Sequence, residues 1–297
     1  MLIEQANAKI NLSLDVTGKR PNGYHDVRMI MQSLELCDDL VFEKAESGSG
    51  VTLITDNDML NSEQESGTDN LIVKAVKALS EKTGKSFDVK ITLSKRIPIA
   101  AGMAGGSADA AATLRGINRL FDLSLSMDEL RELAVKIGAD VPFCVEGGLC
   151  LSEGIGEVLT NLTPLPSCPV LICKPPIFVS TKDVYGAFDS LDIPGHPDVD
   201  GMLASIEKYD AMGVYERLEN ILEPVTVKLH PEIKEIEENM LKCGAQNSIM
   251  TGSGPTVFGM FLSEKELMEA CDKLKAIYPG YEIHATKFKN VKKQHFE

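Results

Sequence analysis

Residues 98–111 read PIAAGMAGGSADAA, a stretch of small side chains that opens on proline and runs into a helical pattern. No other stretch narrows the fold so far. Leu114, Ile117 and Leu120 follow at helical spacing, so residues 98–121 read as a Gly-rich loop feeding a helix N-terminus. Small residues let the backbone approach an anion closely. A helix start aims unpaired N–H groups and a partial positive charge at it. The competing reading is a small-residue helix packed tightly against a sheet. No Lys follows the glycines, as G-x-x-x-x-G-K-[ST] requires, which disfavours a P-loop NTPase. Ala104 stands where G-x-G-x-x-G counted from Gly102 needs a glycine, so that fingerprint fails too. Ser107 can offer a hydroxyl to a phosphate or to Mg²⁺.

Composition limits the partners. The chain has 297 residues, enough for one large or two ordinary domains. Lys plus Arg number 30 against 44 Asp plus Glu, a formal charge of −14, which argues against nucleic acid. It leaves room for an anionic substrate, because a few local cations and backbone N–H groups can hold phosphate. No apolar run of about 18 residues is present, which rules out a spanning helix. MLIEQANAKINLSL lacks a basic region followed by an apolar run, so no secretory signal is expected. Seven cysteines, none in C-x-x-C, and five histidines without an H-E-x-x-H pair support zinc poorly. Buried reduced thiols in a reducing cytosol are the expectation.

Along the chain, residues 8–16 alternate. Ile10, Leu12, Leu14 and Val16 take one face, and Lys9, Asn11 and Ser13 the other, as in a half-buried strand. GKRPNGYHD is a turn-rich loop. Strand-like stretches recur near 28–36, 39–44, 51–55 and 87–93. A helix is expected over 69–84, stopped by Gly84, and another from a capping box at Ser126 and Glu129 to Gly138. Four glycines in 143–160 suit a tight hairpin pair. Two prolines break the pattern at 161–168. An apolar run follows at 169–173, with helical patterns at 199–209, 231–243 and 263–277. TGSGPT (251–256) joins strand-like 247–250 and 257–262, and KFKNVKKQHFE finishes the last strand. Strands in runs followed by helices favour an α+β fold over a doubly wound sheet.

Several residues can carry chemistry. The second small-residue loop, Thr251 to Thr256, is either a backbone cradle or a plain turn. Asp140 in Gly-Ala-Asp-Val-Pro is a base or a cap, with Val141 pushed toward an extended conformation by Pro142. Lys9 either neutralises developing negative charge or is solvated. Tyr24 and His25 either stack on and hydrogen-bond a flat base or anchor their loop.

Together these patterns resemble the GHMP kinases, the superfamily of galactokinase, homoserine kinase, mevalonate kinase and phosphomevalonate kinase. The resemblance runs nearly end to end. It is carried by AKINLSLDVTGKRPNGYHD (8–26), DNLIVKA (69–75), KRIPIAAGMAGGSADAA (95–111), GADVPF (138–143), GIGEVL (154–159) and TGSGP (251–255). The Asn-Gly-Tyr-His loop is similar to that of the branch acting on a cytidine-diphosphate-linked methylerythritol in isoprenoid synthesis, and other members lack it.

The resemblance implies ATP-dependent phosphoryl transfer to the tertiary 2-hydroxyl of the methylerythritol unit, with ATP and Mg²⁺ as cofactors. Lys9 and Asp140 match the catalytic pair. Asp140 would orient the hydroxyl and accept its proton, and Lys9 would sit beside both. Pro98, Ile99, Ala100, Ala101, Gly102, Met103, Ala104, Gly105, Gly106, Ser107 and Ala108 match the ATP loop, with Ser107 as the metal contact. Asn70 matches the stretch beside the adenosine, and Lys95 lies at its edge. Asn11, Tyr24 and His25 match positions that meet the cytidine diphosphate end. Thr181 and Tyr185 match a second wall of that pocket, so that Tyr24 and Tyr185 would sandwich the cytosine. The competing reading of Tyr185 is a helix core residue.

The implied fold is α+β with two domains. Residues 1–163 would form an N-terminal domain resembling the second domain of ribosomal protein S5, and 164–297 a C-terminal α+β domain, with the active site in the cleft between them. The implied protein is cytoplasmic, a monomer or weak homodimer, with a small-molecule partner and neither nucleic acid nor membrane. The loop departs from the usual Gly-Leu-Gly-Gly-Gly-Ser-Ser-Asn. Ala104 disfavours positive φ, Ala108 lacks a hydroxyl, and Asp109 would either help hold a metal or favour the helix's first turn. Two other readings compete. One is another acceptor alcohol such as mevalonate or homoserine, against which Tyr24, His25 and Tyr185 speak. The other is a nucleotide sensor without catalysis, against which Lys9 and Asp140 speak.

Overall fold

A computed structural model describes residues 1–57, 70–190 and 195–291. The chain forms two compact units that interleave along the sequence: 1–8, 36–99 and 104–146 in the first, and 9–35, 100–103 and 147–297 in the second. The break expected near 161–168 therefore falls inside the second unit. Two long strands, β1 (Leu2–Lys19) and β2 (His25–Lys44), contribute residues to both. The stretches read as separate strands at 28–36 and 39–44 are one continuous β2, with Asp38 fully buried in it.

In the first unit, β4 (Val89–Ser94) runs antiparallel to residues 39–44 of β2 and parallel to β3 (Val51–Thr55). Helix α1 (Leu71–Thr83) buries Ile72, Ala75, Val76 and Leu79 at the spacing the sequence shows. Asn70 caps its start, accepting the Ile72 N–H at 2.9 Å, and Gly84 ends it in the left-handed region. Asp69 lies outside the described residues. Helix α2 (Gly105–Leu120) is lined by Ala110, Ala111, Ala112, Leu114 and Ile117. At Gly116 a Cβ would stand 2.5 Å from the Phe42 ring, so glycine is what lets the helix press onto the sheet. The capping box forms at Ser126 and opens α3 (Met127–Val135). Residues 141–146 are not extended. Val141 and Pro142 begin a short helix, α4 (Val141–Glu146), where proline's missing N–H would be unpaired in any case.

In the second unit, residues 29–32 of β2 pair with β5 (Leu149–Glu153), which pairs with β6 (Val158–Asn161). This one hairpin occupies the glycine-rich region, whose first residues, 143–146, belong to α4. Beyond it, β7 (Pro169–Lys174) is followed by α5 (Thr181–Phe188), α6 (Val199–Glu207) and α7 (Ala211–Glu216). Next come β8 (Glu219–Asn220), parallel to β1, then α8 (Glu223–Leu229) and α9 (Glu232–Lys242). Last are β9 (Asn247–Met250), β10 (Val257–Met260), α10 (Glu264–Ile277) and β11 (Glu282–Lys287). A second, fully antiparallel sheet runs β11-β7-β10-β9. Its core joins Leu171, Val257 and Ile283 to Ile233, Ile236 and Met240 of α9 and Leu267 and Leu274 of α10. This is the α+β composition expected. Residues 292–297 of the basic tail lie outside the described residues.

Candidate active site

In the second unit, the polar face of β1 is turned inward and buried. Lys9 is 4% exposed and Asn11 fully covered. The Lys9 Nζ donates to Asn11 Oδ1 at 2.8 Å, and the Lys9 backbone N–H donates to the Met103 carbonyl at 3.1 Å. Thr251 locks the other side. Its Oγ1 accepts the Asn11 backbone N–H at 3.0 Å and donates to Asn11 Oδ1 at 3.3 Å. The two small-residue loops meet backbone to backbone. Gly102 has φ +70, and a Cβ on it would stand 2.5 Å from the Thr251 carbonyl oxygen; one on Gly252 would stand 2.9 Å from the Gly102 oxygen. Thr251 to Thr256 is therefore a clamp on residues 100–103 as well as a turn.

Residues that sequence reasoning missed hold this clamp. The buried Asn220 donates to the carbonyls of Met250 and Gly252, each at 2.8 Å. The Thr181 and Ser253 hydroxyls meet at 2.8 Å, which ties the start of α5 to the same loop. One face of His25 lies 4.9 Å from the Tyr185 ring, tilted by 34°, and the edge of Phe188 is 6.4 Å away. His25 Nε2 meets Asp189 Oδ1 at 2.7 Å, and Lys19 Nζ meets Asp189 Oδ2 at 2.5 Å. Those bonds, from Lys19 first and His25 second, hold the Asp189 carboxyl below its ordinary value. Tyr185 is half-buried and Val184 is the core residue of α5, so Tyr185 is not the core side chain of the competing reading. Tyr24, at the turn between β1 and β2, is 58% exposed.

In the first unit, Pro98 is buried and Ile99 half-buried. Ala104 precedes α2 with φ +57, a positive φ at a non-glycine residue, contrary to expectation. No side chain caps this helix, and no acid sits in its first turn. Its leading N–H groups, at Gly105, Gly106 and Ser107, are of the kind that can hold an anion. The first intrahelical bond runs from the Ala108 N–H to the Ala104 carbonyl at 2.8 Å.

Lys95 stands behind that turn. Its Nζ donates to Asp38 Oδ2 at 2.5 Å and to Asp109 Oδ2 at 2.7 Å, with all three side chains buried. Asp38 Oδ1 accepts the backbone N–H groups of Arg96 and Ile97. Burial works against the Lys95 ammonium, but Asp109 and Asp38 outweigh it and raise its pKa. Burial pushes the Asp109 carboxyl up to about 7, against the pull of Lys95, and its Oδ1 has no hydrogen-bond partner among the described residues. Asp109 lies beyond the first turn and is a buried ion-pair partner of Lys95. Asp140 is half-buried at the turn before α4, its carbonyl accepting the Cys144 N–H at 3.1 Å. None of the seven cysteines is in a disulfide, and five of them are buried. No helix among the described residues is long and apolar enough to cross a membrane.

This architecture has known relatives. Residues 70–148 match the model of the GHMP kinases N terminal domain, and 196–280 that of GHMP kinases C terminal. The chain is 47% identical to the 4-diphosphocytidyl-2-C-methyl-D-erythritol kinase of Lachnoclostridium phytofermentans, covering 97% of this chain and 98% of that one. A crystal structure of 4-(cytidine 5'-diphospho)-2C-methyl-D-erythritol kinase superposes with a TM-score of 0.80 at 30% identity, covering 98% of this chain and all of that one. The homoserine kinase of Cytophaga hutchinsonii, at 18% identity over 97% of this chain and 95% of that one, shares the fold with a TM-score of 0.73. With these full-length matches beside the small-residue loop and the α+β architecture, the chain belongs to the GHMP kinases, in the family of the 4-diphosphocytidyl-2-C-methyl-D-erythritol kinases.

Proposed function

We propose that the protein transfers the γ-phosphoryl group of ATP to the 2-hydroxyl of 4-diphosphocytidyl-2-C-methyl-D-erythritol, giving the 2-phosphate and ADP. The observation that carries this reading is the end-to-end likeness, at 47% identity, to a kinase named for that substrate. The uncapped start of α2 supports the donor half. The N–H groups of Gly105, Gly106 and Ser107 are suited to phosphate oxygens, with residues 98–104 and Ala108 as the surrounding cradle. Asn70 and Lys95 flank the adenosine side, Asn70 as a helix cap and Lys95 as the buried tie between Asp38 and Asp109.

Phosphoryl transfer needs positioning and charge stabilisation more than covalent help from the protein. Asp140 orients the acceptor hydroxyl and takes its proton as the new oxygen–phosphorus bond forms and the bond to ADP breaks. Lys9, already buried and oriented by Asn11, steadies the negative charge that develops. Ser107 would hold Mg²⁺ together with oxygens of the nucleotide itself, and the ion when bound neutralises charge on the transferring phosphate. That division fits the side chains present. Among the described residues no cluster of three or more His, Cys, Asp or Glu could hold a metal ion, and Lys95 engages Asp109. Asn11, Tyr24, His25, Thr181 and Tyr185 take the cytidyl end.

The family's two domains are assigned to 1–163 and 164–297, a division supported by family matches on either side of it. The protein is read as a cytoplasmic monomer or weak homodimer, a compartment supported by seven cysteines outside any disulfide. The test is ADP release from ATP and Mg²⁺ by purified protein, with the cytidyl substrate, mevalonate or homoserine as acceptor. Turnover confined to the cytidyl substrate is expected. Turnover with another alcohol alone overturns the substrate, and ATP binding without turnover on any acceptor overturns the activity.

A further inference from the structure

Helix α5 ends on an acid. Asp189 is its C-cap, its N–H bonded to the carbonyls of Ala187 and Tyr185. A carboxylate there faces the negative end of the helix dipole, where a cation is the favourable choice. Local preference does not explain this residue, but its contacts do. Oδ2 is held by Lys19 and Oδ1 by His25, so both oxygens are tied in one orientation. An ionised carboxylate only accepts hydrogen bonds, and Lys19 and His25 favour that ionised form. The proton between Asp189 and His25 therefore belongs to His25 Nε2.

One consequence follows for the imidazole. In the neutral ring, Nε2–H leaves Nδ1 as an acceptor. Among the described residues Nδ1 has no hydrogen-bond partner, since the ring's bonded contact is with Asp189. Tyr185 and Phe188 fix the ring plane. The three groups that set this imidazole all lie on one helix and its cap.

We propose that Asp189 is a positioning residue for base recognition: it fixes His25 as the Nε2–H tautomer, so that Nδ1 accepts the exocyclic amino group of a cytosine and repels the carbonyl oxygen a uracil carries at the same position. The inference rests on the cytidyl reading of this pocket. Discrimination of this kind comes as much from the repulsive pairing as from the attractive one.

The test has two readouts. Two-dimensional ¹H–¹⁵N spectra of the histidine rings report the His25 tautomer in the free protein, without turnover. Steady-state kinetics compare the cytidine diphosphate substrate with its uridine counterpart. The wild type is expected to show Nε2–H and to prefer the cytidyl substrate. Asp189→Leu is expected to move the ring toward Nδ1–H or a mixture and to raise the cytidyl KM with little change in kcat. Its preference for cytidyl over uridyl substrate should fall about 10- to 100-fold, the scale of one hydrogen bond to a charged or desolvated partner. Asp189→Asn, whose amide oxygen can still accept from Nε2, should recover much of both signals. An Nδ1–H wild-type ring, or an unchanged tautomer in Asp189→Leu, overturns the proposal. A shifted tautomer with unchanged base preference overturns the specificity role. Wild-type protein inactive on both substrates overturns the functional reading and the specificity claim with it, while the spectra still report what Asp189 does to the ring.

Discussion

The hydroxyl of Thr251 accepts the backbone N–H of Asn11 at 3.0 Å across 240 residues of sequence. It also donates to the Asn11 side chain, the same atom that receives the Lys9 ammonium. The orientation of Lys9 is thus set by a loop near the other end of the chain. Thr251→Val keeps the shape and removes the hydroxyl, leaving a buried N–H unpaired. Chemical denaturation should show a loss of about 1–3 kcal/mol, and kcat should fall more than either KM rises.

Gly102 is the tightest point between the two loops. Alanine there would put a methyl 2.5 Å from the Thr251 carbonyl oxygen at φ +70. Strain of about 1–3 kcal/mol for the backbone alone, with the clash added, is expected. Gly102→Ala should lower the thermal midpoint and sharply weaken ATP use. A variant with native stability and native KM for ATP would show that the loops part without consequence.

Asp140→Asn tests the proposed base. The substitution keeps size and polarity at a half-buried turn, so the fold should persist by circular dichroism. Turnover should drop about 10²–10⁴-fold, the usual contribution of a positioned base, while ATP binding measured by calorimetry stays. Turnover close to wild type would remove Asp140 from the reaction.

The buried cluster behind the small-residue loop gives a pH signature. Asp109 is raised to about 7 in the folded protein, against about 3.9 in an unfolded chain. Between those values the folded state holds a proton that the unfolded state has released. This group's contribution to stability therefore falls as pH rises from about 4 to about 7, and is level above that. Asp109→Asn should abolish that slope, so the stability difference between variant and wild type, measured by urea unfolding, moves in the variant's favour across this window. Lys95→Met leaves two buried carboxylates without their cation and should lose about 3–5 kcal/mol.

Tyr185→Ala removes the ring lying 4.9 Å from His25. The KM for the cytidyl substrate should rise about tenfold, the scale of a lost aromatic contact, with the KM for ATP little changed. Equal effects on both would assign Tyr185 to structure alone.

What could be read from the sequence was local. Gly84 ends α1, the Ser126 capping box opens α3, and a helix follows the small-residue loop, because caps and glycines act over a few residues. What could not be read depends on distant partners. Nothing near β1 announces that Thr251 is what meets its polar face. Asp109 looked like a first-turn acid because its partners, Asp38 and Lys95, lie far back in sequence. Asn220 and Asp189 carry no local signal except that an acid at a helix C-cap is out of place. Residues 28–44 looked like two strands because the polar Asp38, which divides them, is satisfied by Lys95 and two backbone N–H groups.

Ala100 and Ala104 both stand in the left-handed region, at φ +51 and +57. Glycine would reach those angles more easily, yet it would also leave them more easily. A methyl group at each position thins the crowd of shapes open to the loop. Folding therefore bears the strain, and if the loop takes phosphates as proposed, they meet a mould that has already set.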